Sequence, residues 1–407
     1  MKIFAFRALS RVLFSVTGLL ALVQLQQCTS KLVTFSNIRP RHDSTGAIIN
    51  AHDGTTQRFP SKGKGFRDAT NSSSDDRLFY YHAMGYPDCP EPGTIQGCTH
   101  ECVYNRTNSI AVWTSPDLSD GSWELQQLVY PSPNNESKFP TCTYFRSQAV
   151  YNPNTGLYVM WANTAGCDHS TCPNGTCLSY VMATSEHPGG PFTFAATAQP
   201  SAASLGPHSG FIGDYALFVD SDGKGYCLLT HGIAGAGHRD MYIFRLTDDF
   251  LSFDSNTSVG PLPGPHLVEA PAMFRRGSTY YALLGGCTCM GLYGSGVAVL
   301  QAPHPLGPWT NMTSTLDPGC PMEQQSTCFE MGPGEVCNPV TQAQQNFVVE
   351  VPLANGSSTL VWTGDKWQQS PDKAFDKQPQ TWLPLYFAGD TLLPLRYVDN
   401  FTLDVAL

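Results

Sequence analysis

From residue 47 onward the chain alternates short apolar, aromatic-rich runs with tight turns, and it does so five times. The runs with their turns are Arg77-Leu-Phe-Tyr-Tyr-His82, Asn154-Thr-Gly-Leu-Tyr-Val-Met-Trp161, Ser221-Asp-Gly-Lys-Gly-Tyr-Cys-Leu-Leu229, Arg276-Gly-Ser-Thr-Tyr-Tyr-Ala-Leu-Leu284 and Asn355-Gly-Ser-Ser-Thr-Leu-Val-Trp362. Asn-Gly, Asp-Gly and Asn-Thr-Gly admit positive φ, which two-residue hairpins require. The runs beside them are rich in the β-branched and aromatic residues that suit strands. No long stretch has the 3.6-residue apolar period of an amphipathic helix. The pattern predicts an all-β chain.

One phrase is copied. His187-Pro-Gly-Gly-Pro-Phe-Thr193 and His304-Pro-Leu-Gly-Pro-Trp-Thr310 share five of seven residues at an offset of 117. Each follows an apolar run, Leu178–Ala183 or Val297–Ala302, and reads as a turn on the outer edge of a sheet. If the offset spans two units, one unit is roughly 60 residues, within reach of a four-stranded propeller blade with loops. Five units then give a five-bladed β-propeller over residues 31–407. Two β-sandwich domains are the alternative, but no linker interrupts the repeat. Residues 31–46 read as a lead-in, and residues 71–74 and 87–107 as loops.

Residues 1–30 have a different character. Lys2, Arg7 and Arg11 precede the apolar stretch Val12–Leu25, the layout of a secretory signal peptide. No later segment reaches the ~20 apolar residues of a spanning helix. Loss of this leader would move the net charge from −10 to −13. An acidic chain is a poor partner for nucleic acid or an anionic membrane. Eight Asn-X-Ser/Thr sequons, at Asn71, Asn105, Asn135, Asn174, Asn256, Asn311, Asn355 and Asn400, fit the same route. So do fourteen cysteines, most of them bunched along the chain as loop staples, with Cys227 expected to be free and buried in an apolar strand. The expected location is extracellular, or a lysosomal or vacuolar lumen, and the expected state a monomer.

In a propeller the first strand of each blade lines the central channel. The strands preceding the five hairpins carry Asp53, Arg146, Asp214, Glu269 and Gln345. Two carboxyls facing each other across a pocket can hydrolyse a glycoside, one held protonated as acid and the other ionised as base or nucleophile. Each residue also has a plainer reading: Asp53 as a turn former before Gly54, Asp214 as a loop anchor, Glu269 as a partner of Arg275 or Arg276. Sugar faces stack on aromatic rings, for which Tyr86, Trp367 and Trp382 stand close after inner strands.

The stretches Ala51-His-Asp-Gly54, Phe145-Arg146, Val150-Tyr-Asn-Pro-Asn-Thr-Gly156, Gly213-Asp214, Val268-Glu-Ala-Pro271, Gly294-Ser-Gly296, Ala343-Gln-Gln345, Gly364-Asp-Lys-Trp367 and Trp382-Leu-Pro-Leu385 occur in an order that resembles glycoside hydrolase family 43. The nearest resemblance is to its exo-β-1,3-galactanase-like branch. It implies a secreted, exo-acting O-glycosyl hydrolase for galactose- or arabinose-containing side chains. Glu269 would be the general acid, Asp214 the carboxylate that tunes it, and Asp53 the base of an inverting reaction. Arg146, Gln345, Tyr86 and Trp367 would bind substrate. The chain departs from that branch in having Asp53 where Gly is frequent and Phe145 where a Glu precedes the Arg. In relatives that lack the base, water is positioned by a residue matching Gln345 or Gln344. A propeller that binds glycans without turnover is the alternative of another class.

Other chemistry is thinly represented. Asp220-Ser-Asp-Gly223 lacks the spacing of a calcium loop. His100-Glu101-Cys102 and Cys167-Asp168-His169 are placed for local disulfides more than for zinc. There is no Gly-x-Ser-x-Gly elbow. No cofactor is expected, and a structural channel cation such as calcium, beside His231 or His238, is the one exception considered.

Overall fold

The computed structural model describes residues 29–59, 77–87, 105–133, 136–175, 178–205, 210–233, 239–287, 291–320, 322, 339–372 and 374–407. Five antiparallel sheets follow one another along the chain. Blade 1 comprises His52–Gln57, Phe79–Gly85, Ser109–Ser115 and Glu124–Tyr130. Blade 2 comprises Thr143–Asn152, Leu157–Ala165, Tyr180–Ser185 and Thr193–Ala198. Blade 3 has Gly210–Val219, Gly225–Ile233, Arg239–Leu246 and Phe253–Val259, and blade 4 has Val268–Arg276, Thr279–Gly286, Val297–Ala302 and Thr310–Thr313. Blade 5 has three strands, Gln344–Pro352, Ser358–Asp365 and Gln380–Pro384. The first strand of each blade touches the first strand of the next, and the fifth touches the first. The ring is a five-bladed β-propeller, and the described residues contain no α-helix.

The apolar runs of the sequence are hairpin strands buried on both faces. In Leu157–Ala165, Tyr158, Met160 and Ala162 pack toward blade 1, while Val159 and Trp161 pack toward blade 3. Tyr226 and Leu228 face blade 4, and Cys227 and Leu229 face blade 2. This two-residue alternation places one apolar cluster in every cleft between blades, including that between blades 5 and 1. Cys227 is buried and free, as the sequence indicates.

Both copies of the doubled phrase form the turn between third and fourth strands, in blades 2 and 4. Their aromatics, Phe192 and Trp309, are buried against the blade before. The phrase in blade 2 also offers the Pro188 carbonyl to Nε2 of His82 in blade 1, at 2.9 Å. The lead-in turns out to be structural. Ser30–Ser36 pairs with Asn400–Ala406 along its whole length, so the two ends of the described chain lie side by side against blade 5. Val33, Phe35 and Val405 seal the cleft between the last blade and the first.

Cys142 and Cys167 form a disulfide, and Cys172, Cys287 and Cys320 are disulfide-bonded as well. The expected staples at Cys89, Cys98, Cys102, Cys177, Cys289, Cys328 and Cys337 lie outside the described residues, as do most of residues 1–30 and the sequons at Asn71 and Asn135. Asn174, Asn256, Asn311, Asn355 and Asn400 are exposed. No helix among the described residues is long and apolar enough to cross a membrane.

Candidate active site

All five inner strands carry the same irregularity. Each gains one residue against its partner strand: between His52 and Thr55, Phe145 and Gln148, Ile212 and Tyr215, Glu269 and Ala272, and Gln345 and Phe347. A bulge of this kind bends the strand and re-aims a side chain. Asp53, Arg146 and Ala270 occupy it with φ of 52°, 48° and 50°, a region that costs non-glycine residues of order 1–3 kcal/mol and is held by surrounding structure. The bulges bring Asp53, Arg146, Asp214 and Glu269 from four blades into one connected group.

Arg146 is its centre. The side chain is 1 % exposed, with Nη2 at 2.9 Å from Asp53 Oδ1 and Nε at 3.1 Å from Asp214 Oδ2. Asp214 Oδ2 also accepts the backbone N–H of Ala270 at 2.9 Å, which ties it to the residue after Glu269. Burial pushes the Asp53 carboxyl well above the usual carboxylate range; Arg146 opposes this, and the charges of Asp214, Asp365 and Glu269 add to it. Burial disfavours the charge on Arg146, but the four carboxylates, Asp214 foremost, outweigh it and hold the guanidinium protonated. A cation between two acids keeps them from repelling one another, and removing it would leave buried charge unpaired.

Glu269 is paired, though not with Arg275 or Arg276. Arg275 meets Asp220 at 3.0 Å, and Arg276 lies 3.7 Å from Asp390. Glu269 Oε2 instead accepts Nη1 of Arg239, from the third strand of blade 3, and Oε1 accepts Nε2 of Gln344 at 2.7 Å. The Gln344 amide is fixed in turn, because its Oε1 accepts the indole N–H of Trp367 at 2.6 Å. An indole only donates, so the orientation of the amide is unambiguous. Gln345 is fully buried, and its Oε1 accepts the indole N–H of Trp362. Gln344 rather than Gln345 therefore meets Glu269.

The aromatic candidates divide differently from the expectation. Trp367 is 1 % exposed and acts on the site through its N–H. Tyr86 is buried beside it, 5.8 Å from Trp367, 5.5 Å from His52 and 5.3 Å from Phe375. Trp382 is buried against Phe35 and under Arg41. Beneath Asp53, Asp365 Oδ2 accepts the Asp53 N–H at 3.2 Å and Oδ1 accepts Gln380 at 2.9 Å. The open aromatic face belongs to Phe211, which is 51 % exposed with the Arg239 guanidinium 5.0 Å from its ring centre. Arg239, Asp365 and Phe211 were not singled out in the sequence. The only signal for Phe211 is its position three residues before Asp214 on the same strand.

Asp220-Ser-Asp-Gly223 is a hairpin turn, with Gly223 N bonded to Asp220 O at 2.9 Å. Among the described residues no group of three or more His, Cys, Asp or Glu side chains is placed to hold a metal ion. His231 is buried and lies edge-on to Tyr242, and His238 lies outside the described residues.

Comparison with known proteins agrees with this architecture. An exo-β-1,3-galactanase from Clostridium thermocellum is similar over 92 % of this chain and 68 % of its own, with 20 % identity and a TM-score of 0.60. An exo-β-1,3-galactanase from Phanerochaete chrysosporium, solved with galactose, is similar over 91 % of this chain and 69 % of its own, with 17 % identity and a TM-score of 0.59. A family 43 β-1,3-galactosidase is similar over 91 % of this chain at 21 % identity and a TM-score of 0.59, and the chain spans 64 % of its length. No curated protein sequence matches the chain. The family described as Glycosyl hydrolases family 43 matches residues 99–322, more than half of the sequence. The chain belongs to glycosyl hydrolases family 43.

Proposed function

We propose that the protein is a secreted, exo-acting, inverting glycoside hydrolase that removes galactose or arabinose from polysaccharide side chains. The observation that carries this reading is the connected group Asp53–Arg146–Asp214–Glu269, delivered by four equivalent bulges to one region of the ring. Glu269 protonates the glycosidic oxygen as the C1–O bond breaks. Asp53 takes a proton from the water that attacks C1 from the opposite face, which inverts the anomeric centre. Asp214 holds Arg146 and the backbone after Glu269, which keeps the two ends of the reaction in register. The similarity to galactanases and a galactosidase supports galactose as the first sugar to test.

Purified protein would be assayed on β-1,3-galactan, β-1,3-galactobiose and arabinan, with the first-formed anomer read by NMR. Release of a monosaccharide of inverted configuration is expected, with loss of more than ~100-fold in Glu269→Gln, as for removal of a general acid. Undiminished turnover by that variant would overturn the assignment. One observation favours a second reading, in which the propeller binds glycans without turnover: both oxygens of Glu269 face hydrogen-bond donors. Binding to a glycan array with no product released from any bound sugar is the outcome that reading requires.

A further inference from the structure

Among the described residues, Phe211 is the exposed aromatic of the inner strands: it is 51 % exposed, whereas Tyr86, Trp367 and Trp382 are buried. An apolar ring left in water forgoes the burial its counterparts gain. Its seat is built. Phe211 pairs with Gly232, which pairs in turn with Arg239, so the three form a row across the first three strands of blade 3. A Cβ at Gly232 would come within 2.0 Å of the ring, so the ring lies where a side chain at 232 would otherwise stand.

The row has a definite place in the ring. Asp53, Glu269 and Gln344 stand at the first or second residue of their inner strands, so the site lies at that end of the propeller. Counted from the bulges, Glu269 and Ile212 are equivalent, which sets Phe211 one residue further out than Glu269. From Asp214 it lies three residues outward, at most about 10 Å of strand. Arg239 joins the ring to Glu269, with its guanidinium 5.0 Å from the ring centre and its Nη1 donating to Glu269 Oε2. Its backbone bridges to Leu267, just before the inner strand of blade 4, so ring and guanidinium lie on the side of blade 3 that meets the blade of Glu269. The other N–H groups of the guanidinium have no partner among the described residues, and the side chain is 21 % exposed.

Glycoside cleavage fixes what belongs there. The acid donates to the oxygen that joins two sugars, so both sugars lie within reach of the groups around it. The first sits between Glu269 and Asp53. The second, which leaves with the oxygen, sits outward of Glu269 in an exo-acting protein, where the described residues place Arg239 and Phe211. A pyranose offers an apolar C–H face to an aromatic ring and a rim of hydroxyls to polar donors. We propose that Phe211 and Arg239 form the binding site for the departing sugar, a neutral pyranose whose C–H face lies on the Phe211 ring and whose hydroxyl oxygens accept N–H groups of Arg239. The proposal rests on the reading of Glu269 as the general acid. It makes the two side chains determinants of specificity for what lies beyond the scissile bond.

The test uses the full-length protein with Phe211→Ala, Phe211→Tyr, Arg239→Leu and Glu269→Gln. Two substrates separate the positions: β-1,3-galactobiose fills both, and β-galactosyl fluoride, whose leaving group is a single atom, fills only the first. The ratio of kcat/KM for galactobiose to that for the fluoride is expected to fall roughly 3–10-fold in Phe211→Ala, the worth of a stacked ring, and to return in Phe211→Tyr. An unchanged ratio in Phe211→Ala, while Glu269→Gln fails on galactobiose, overturns the proposal and leaves the acid assignment intact. Full activity of Glu269→Gln on galactobiose removes the acid assignment, and the proposal with it. Calorimetry in the Glu269→Gln background supplies a readout without turnover. There the gain in affinity of galactobiose over galactose is expected to shrink when Phe211→Ala or Arg239→Leu is added. A gain that either addition leaves unchanged overturns the proposal, as does the absence of any gain before they are added. Equal losses for both sugars also overturn it, because they would place these side chains at the first sugar.

Discussion

His82 offers a measurement of how firmly the first two blades are joined. Its ring is fully buried, edge-on to Phe192 at 5.6 Å and Phe59 at 5.9 Å, and Nε2 donates to the Pro188 carbonyl of the doubled phrase. Nδ1 is buried and has no hydrogen-bond partner, so a second proton would introduce a charge with nothing to receive it. Burial accordingly lowers its pKa from 6.5 to about 4, and the hydrogen bond to Pro188 opposes this only in part. The folded value is depressed, so the unfolded chain binds the proton first on acidification. The stability His82 contributes is complete above the unfolded value and is lost as pH falls from there toward the folded one. Between pH 7 and about pH 5 these two values correspond to roughly 2 kcal/mol. His82→Gln keeps a donor for Pro188 and cannot titrate. Urea unfolding of both proteins at the two pH values gives the difference of differences: the variant is less stable at neutral pH, and its deficit should shrink by about 2 kcal/mol at the lower pH. Asp317 titrates in the same range with the opposite sign, but it is common to both proteins and cancels. A deficit that is the same at both pH values would refute the reasoning.

Burial raises Asp317 to about 7 against the hydrogen bonds from Thr341 and Val340, so its contribution is present below the unfolded value and lost as pH rises through the folded one; Asp317→Asn should flatten stability on the alkaline side, as read by melting temperature between pH 6 and about pH 8. Arg146→Met strands the buried Asp53 carboxylate and the half-buried Asp214 carboxylate and should cost about 3–5 kcal/mol, while adding Asp53→Asn should recover part of it, in a double-mutant cycle by urea unfolding. In Gly54→Ala the new Cβ would lie 1.9 Å from the His82 carbonyl oxygen and 2.7 Å from the Ala83 Cα, so the bulge carrying Asp53 must shift; hydrolysis is expected to fall more than sugar binding, measured by kinetics against calorimetry.

The hairpin runs were legible because a strand buried on both faces has little choice of residue: Leu157–Ala165 must be apolar on both sides of its pleat to fill two clefts. Glu269 was legible for a related reason, since a carboxylate at the start of an otherwise apolar strand is conspicuous, whereas Asp53 and Asp214 were legible from their place on the strands that precede the hairpins. Arg239 was not, although it bonds directly to Glu269. It begins an outer strand of a different blade, and nothing local to Arg239-Asp-Met-Tyr242 distinguishes it from a solvated charge. Trp367 was picked out for the wrong physical property. The sequence shows a ring, whereas the fold buries that ring and uses its N–H.

By itself, then, the sequence determined the blade. Period-two burial, turn chemistry and the copied His-Pro-x-Gly-Pro phrase are local properties, and they fix strands, hairpins and blade number. Closing the ring decided the rest. Pairing of Ser30–Ser36 with Asn400–Ala406 joins segments from opposite ends of the chain. The bulge in every inner strand turns residues far apart in sequence toward one another, with Arg146 set between Asp53 and Asp214 and Arg239 set on Glu269. Charges placed that way shape each other's protonation across blades, and such coupling depends on distance in space, which the order of residues does not specify.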